Sequence, residues 1–116
     1  MLLTLPNNVK TNRFKMLFAE KIKQLREKQR LPQRQLAAAL EIDTATYCKI
    51  EKGDRKARRD QIAVIADMLK CPKEDLLEIW LTDKVYDIVK EEEHSDSVLN
   101  IVAEKVVEST PKSSNK

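Results

Sequence analysis

Between Phe14 and Trp80 the apolar residues recur at steps of three and four in five short runs, each closed by a break. Phe14, Phe18, Ile22 and Leu25 make the first stripe, and Pro32 stops it. Leu36, Ala37 and Leu40 make the second, which gives way to Glu41-Ile42-Asp43. Tyr47 and Ile50 belong to the third, closed by Gly53, the one glycine of the chain. Ile62, Ile65, Ala66 and Leu69 make the fourth, ended by Cys71-Pro72; Leu76, Leu77 and Trp80 begin the fifth. This spacing places each set on one face of an amphipathic helix. None of the helices is long enough to be stable alone, so five of them must share one core. A single glycine, few aromatics and an abundance of Leu, Ala, Glu, Lys, Arg and Gln agree with an all-α fold.

Local signals predict helices at 14–30, 33–40, 44–52 and 59–69, with a fifth starting near Lys73. Asp43 is placed to cap the third, since its carboxylate accepts from the exposed amides of the next turn. Gly53 sits where a left-handed residue ends a helix. Glu74 and Asp75 lie at the positive end of the fifth. Past Leu81 the pattern weakens. Val85, Ile88 and Val89 extend a helix toward Glu91-Glu92-Glu93, and Ser95 or Asp96 opens another carrying Val98, Leu99, Ile101, Val102, Val106 and Val107. The expected organisation is a flexible arm at 1–12, a compact domain at 13–80, a helical extension at 81–108 and a disordered tail at 109–116.

The net charge of +3 is unevenly spread. Residues 1–80 hold 17 Lys and Arg against 11 Asp and Glu, whereas residues 81–116 hold 5 against 8. A basic body with an acidic tail fits a polyanion-binding domain followed by a segment with another task. The two cysteines, Cys48 and Cys71, form no CxxC pair, and His94 is the only histidine, so no zinc site and no other metal site is expected. Both cysteines are expected as reduced thiols in a cytoplasmic protein. The apolar start Met1-Leu2-Leu3-Thr4-Leu5-Pro6 is too brief for a secretory signal, and no run approaches the length of a membrane span.

Residues 33–53, QRQLAAALEIDTATYCKIEKG, closely resemble the helix-turn-helix of the Xre/Cro/C1-type repressor family. The matches fall in fixed register: Gln33, Leu36-Ala37, Ile42, then Ile50-Glu51-Lys52-Gly53, with Leu69 and the Glu-Asp-Leu-Leu of 74–77 beyond. The resemblance covers roughly residues 15–80 and implies a five-helix, lambda-repressor-like DNA-binding domain. Two helices crossing at a three-residue turn need a small residue at the crossing, which Ala37 supplies. With Leu36, Leu40, Ile42, Tyr47 and Ile50 inward, Thr44, Ala45 and Lys49 face outward.

The resemblance implies that this outward face enters the major groove. Base-reading roles then fall to Gln33, Thr44, Ala45 and Lys49, with Thr46 at the margin. Lys49 has the chemistry for guanine O6 and N7, Ala45 and the Thr44 methyl for a thymine methyl, and Gln33 for adenine or a phosphate. Arg34, Lys52, Arg55, Lys56 and Arg59 would hold phosphates and set register without reading sequence. Glu51 pairs in the family with an arginine of the first helix, here Arg26, as a structural bridge of half-exposed side chains. Glu41 stands where the family usually has glycine, at a left-handed position costing roughly 1 kcal/mol. Pro32 and Arg58 replace the usual polar N-caps.

The expected function is a small bacterial transcriptional regulator, a repressor or activator, binding double-stranded DNA near the nucleoid. One short helix reads too few base pairs for useful specificity, so a homodimer on a palindrome is expected. The valine-rich acidic extension is the candidate dimerisation element, with packing against the domain itself as the alternative. An antitoxin or a restriction–modification controller would carry the same features. An adaptor that lost DNA binding would show acidic or bulky apolar residues on the reading face; Thr44, Ala45, Lys49 and the basic 52–59 segment argue against it. No cofactor, small-molecule ligand or membrane partner is indicated. A lone histidine, no nucleophile motif and no glycine-rich phosphate loop argue against an enzyme.

Overall fold

The computed structural model describes residues 17–109, and every regular element among them is an α-helix. In chain order these are α1 (Leu17–Lys28), α2 (Gln33–Leu40), α3 (Thr44–Lys52), α4 (Arg59–Leu69), α5 (Lys73–Val89) and α6 (Ser95–Ser109). The expected arm at 1–12, Phe14 and residues 110–116 lie outside the described residues. Ser109, expected in the disordered tail, instead closes α6, where its hydroxyl donates to the Lys105 carbonyl at 2.8 Å. Two compact units divide after Lys84, within the continuous α5.

The first unit is built around one apolar core. Phe18 and Ile22 of α1, Leu36 and Leu40 of α2, and Tyr47 and Ile50 of α3 meet Ile62, Ile65 and Leu69 of α4. Leu76 and Trp80 of α5 complete it. Leu25, Ile42 and Leu77 pack against this cluster from its edge. Ala37 is buried at the crossing of the helix pair, as a close approach of two backbones requires.

The ends of the helices follow local chemistry. Asp43 accepts from the Thr46 amide at 2.7 Å, and Gly53 ends α3 with φ 83°. Hydrogen bonds from the Thr46 side chain and then its amide hold the Asp43 carboxyl below the usual range. Arg58 cannot cap α4 with its own side chain, and Gln61 does the work in reverse: its Oε1 accepts from the Arg58 amide at 2.8 Å. Pro32 opens α2 in an extended conformation without a side-chain cap.

The amino end of α1 is held from across the chain. Asp83 of α5 accepts from the Leu17 amide at 3.0 Å and from the Phe18 amide at 2.9 Å, satisfying two donors that the helix leaves open. Its carboxylate is buried there. The expected boundary at 80/81 therefore cuts through contacts that belong to the domain.

Three helices end on charged left-handed residues: Arg30 (φ 60°), Glu41 (φ 60°) and Lys70 (φ 57°). Arg30 and Lys70 set a cation at the negative end of a helix dipole; Glu41 sets an anion there. Both backbone geometry and charge sign oppose Glu41. Glu41→Gly is expected to raise stability by about 1 kcal/mol, read as a higher midpoint in urea with an unchanged slope. A lower midpoint would show that the glutamate side chain makes a compensating contact.

The second unit comprises the end of α5 and all of α6. Val89 is buried, whereas α6 buries none of its residues. Val85, Tyr86, Ile88, Val98, Leu99, Ile101, Val102, Val106 and Val107 are all exposed. On α6, Leu99, Val102 and Val106 share one face at steps of three and four. No described helix is long and apolar enough to cross a membrane.

Candidate nucleic-acid interface

Tyr47, Ile50 and Glu51 turn inward on α3, and this fixes what the helix shows outside. Thr44, Ala45, Lys49 and Lys52 are exposed, and Cys48 is half-buried among them. With 100° per residue, Ala45, Lys49 and Lys52 lie opposite the buried side and Cys48 at its margin, while Thr44, nearly in line with Glu51, is exposed because it opens the helix. Thr46 falls at the other margin, half-buried and engaged with Asp43. The outward face is thus small at its start and cationic toward its end.

Beside it runs an open groove lined by Lys23 of α1, Gln33 of α2, and Cys48, Glu51 and Lys52 of α3, with Asp54 beyond. Cys48 and Lys23 were not among the expected site residues. Cys48 could have been found from its place one turn after Thr44; Lys23 had no signal, being one cation among several on α1. Cys48 and Cys71 are both free thiols. Among the described residues no cluster of His, Cys, Asp and Glu could hold a metal ion.

Glu51 is the polar centre beneath this surface. Arg26 Nε donates to its Oε2 at 2.6 Å and Nη2 to its Oε1 at 3.0 Å, a two-pronged pairing across 25 residues of chain. Arg26 Nη1 also donates to the Leu31 carbonyl at 2.8 Å, and Gln33 Nε2 to Glu51 Oε1 at 3.0 Å. The pair was expected half-exposed. Glu51 is buried, its side chain 2% exposed, whereas Arg26 is half-buried at 12%. The two-residue reading missed Gln33, whose amide completes the cluster.

Burial pushes the Glu51 carboxyl up, but the hydrogen bonds from Arg26 and Gln33, with Tyr47 close by, outweigh it and hold it below the ordinary range. Burial and, after it, the neighbouring Glu51 charge push the Tyr47 phenol well above its own range. Its hydroxyl is sealed in beside the Glu51 carboxylate, close enough to act on it but without a partner at full hydrogen-bond geometry among the described residues.

The loop between α3 and α4 carries the remaining cations. Arg55, Lys56 and Arg59 are exposed, as is Arg34 on α2. The loop is pinned by Trp80, whose Nε1 donates to the buried Ala57 carbonyl at 2.9 Å. Arg59 lies 6.0 Å and Lys84 4.5 Å from the centre of the Trp80 ring, within range of a cation–π attraction. Lys84 therefore joins this basic edge, next to Arg55 and Lys56 around one shallow pocket. The exposed Arg58 is paired with Asp60 at 3.1 Å.

A protein-family model, described as a helix-turn-helix domain, matches residues 17–79, which hold every residue of this arrangement except Trp80 and Lys84. No curated protein and no solved structure matches the chain. The matched stretch is more than half of the 116 residues and contains α2, the turn and α3 complete. The chain belongs to the helix-turn-helix domain family.

Proposed function

We propose that this protein is a sequence-specific, double-stranded-DNA-binding transcriptional regulator of the Xre/Cro/C1 type, with α3 as its reading helix. The observation that carries the reading is the outward face of α3, where small Thr44 and Ala45 precede exposed Lys49 and Lys52. Small residues let the start of a helix approach base edges closely, and Lys49 supplies a donor suited to guanine. Gln33 stands beside that face and Thr46 at its margin. Arg34, Lys52, Arg55, Lys56 and Arg59 are placed to hold phosphates, and Lys84 adds to the same edge. This is the work of a cytoplasmic protein acting at the nucleoid, without a cofactor.

The protein acts as a homodimer on a palindrome in this reading. Support comes from the second unit, where nine large apolar side chains stand exposed and α6 buries nothing. So many exposed apolar side chains on one short segment favour an association site in this reading. A repressor's single helix also needs a second half-site for useful specificity. An adaptor or antitoxin-like role on the same fold is the second reading, favoured by the same exposed surface.

Selection from a randomised duplex library tests both parts of the proposal. The wild-type chain is expected to enrich an inverted repeat with half-site centres about one helical turn apart. A Lys49→Ala, Thr44→Val double variant is expected to lose or change the preference while keeping its helical content. If the wild type enriches nothing, and retention on DNA simply vanishes with rising salt, the adaptor reading replaces this one.

A further inference from the structure

The cluster around Glu51 does more than tie helices together. The carboxylate can only accept hydrogen bonds, so the Gln33 amide must turn its nitrogen toward it, and the contact is made by Nε2 at 3.0 Å. Glu51 is itself fixed, because Arg26 holds both of its oxygens at 2.6 and 3.0 Å. Arg26 is in turn held by the Leu31 carbonyl, one residue before the turn into α2. The orientation of one half-exposed side chain is thus set by a partly buried chain of contacts running from α1 through α3 to α2.

An amide with its nitrogen so committed has one hydrogen and the Oε1 acceptor left. With the hydrogen pointing away from Oε1 given to Glu51, the arrangement that keeps Oε1 clear of the carboxylate, the other hydrogen and Oε1 lie side by side as a donor–acceptor edge. A phosphate presents only acceptors and would leave Oε1 facing like charge. Adenine presents an N7 acceptor beside an N6 amino donor in the major groove, which matches such an edge atom for atom. Gln33 also lines the groove that Cys48 and Lys52 of α3 border, so its free edge belongs to the same surface as the reading helix.

We propose that Gln33 reads adenine, not the phosphate backbone, and that Glu51 is the positioning residue that fixes which way its amide faces. This rests on the DNA-binding reading above and deepens it by assigning one base of the half-site. Cys48, although it borders the same groove, plays no part.

The test is library selection by three full-length chains: wild type, Gln33→Leu and Glu51→Gln. The wild type is expected to favour adenine at one position of each half-site by roughly tenfold to a hundredfold. Gln33→Leu is expected to abolish that preference and leave the other positions unchanged. Glu51→Gln, which offers both donor and acceptor and lets Gln33 turn over, is expected to broaden the same position while circular dichroism reports an intact fold. Equal weakening on all sequences in Gln33→Leu, with every positional preference kept, would overturn the proposal and return Gln33 to the backbone. So would a folded Glu51→Gln that keeps the full adenine preference. Should Glu51→Gln fail to fold, Gln33→Leu decides alone. A wild-type chain that selects no sequence overturns this proposal together with the DNA-binding reading, whereas a selective wild type with an unaltered Gln33→Leu overturns this one only.

Discussion

Arg26→Met is expected to destabilise the protein by about 3–5 kcal/mol. The reason is asymmetry. Methionine fills most of the arginine's space, yet it leaves the Glu51 carboxylate, 2% exposed, with the neutral Gln33 amide and Tyr47 hydroxyl in place of two charged hydrogen bonds. The pair itself stabilises far less than that figure, because removing two ions from water costs much of what their attraction returns. The double variant Arg26→Met, Glu51→Leu is therefore expected to recover most of the loss. Urea unfolding of the two variants checks this directly, and equal instability of the single and double variants would contradict it.

The same pair gives stability a pH dependence of known sign. Glu51 is held below its ordinary value of 4.5 in the folded chain, so the unfolded chain takes up the proton first. The contribution is fully present above pH 4.5 and is lost as pH falls through the depressed native value. Wild type is expected to lose stability more steeply than the double variant below pH 4.5, as measured by thermal unfolding across that window.

Trp80→Ala is expected to cost about 3–5 kcal/mol as well, by a different route. The indole fills the end of the core and is 9% exposed, so its removal leaves a cavity among Phe18, Ile50 and Ala57. It also orphans the buried Ala57 carbonyl. Trp80→Phe separates the two effects: it keeps much of the packing and loses the hydrogen bond, for about 1–3 kcal/mol. Because Trp80 pins the loop that presents Arg55 and Lys56, both variants are expected to weaken non-specific DNA retention at low salt. Retention unchanged in a folded Trp80→Phe would show that the loop does not depend on this anchor.

Much of this architecture is legible in the sequence because it rests on local rules. Asp43, Gly53 and the apolar steps of three and four announce α2, α3 and α4 with their ends. The outward position of Ala45 and Lys49 follows once Tyr47 and Ile50 are placed inside, and Thr44 is exposed by opening the helix. Contacts between residues far apart in sequence left no such trace. Asp83 serves α1 from 65 residues away, and nothing in its neighbourhood marks it as a cap. Gln33 was visible as a polar residue opening α2, but its bond to Glu51 depends on how α2 and α3 cross. The burial of Glu51 was missed for a similar reason, since depth depends on what covers a residue and not on its partner alone. Gln61 standing in for an absent cap at Arg58 lay within reach of a three-residue rule, hidden because arginine is an unusual residue there.

The central claim is that α3 reads base edges in the major groove. It is tested most directly by measuring affinity for the selected duplex with 7-deazaguanine placed, one position at a time, across each half-site. That replacement removes the N7 acceptor and leaves pairing and phosphates intact. At the guanine met by Lys49 the affinity is expected to fall about tenfold, and outside the half-sites it is expected to stay unchanged. Equal affinity for every substituted duplex, with binding governed by salt alone, would mean that the protein holds only the backbone and that α3 does not read sequence.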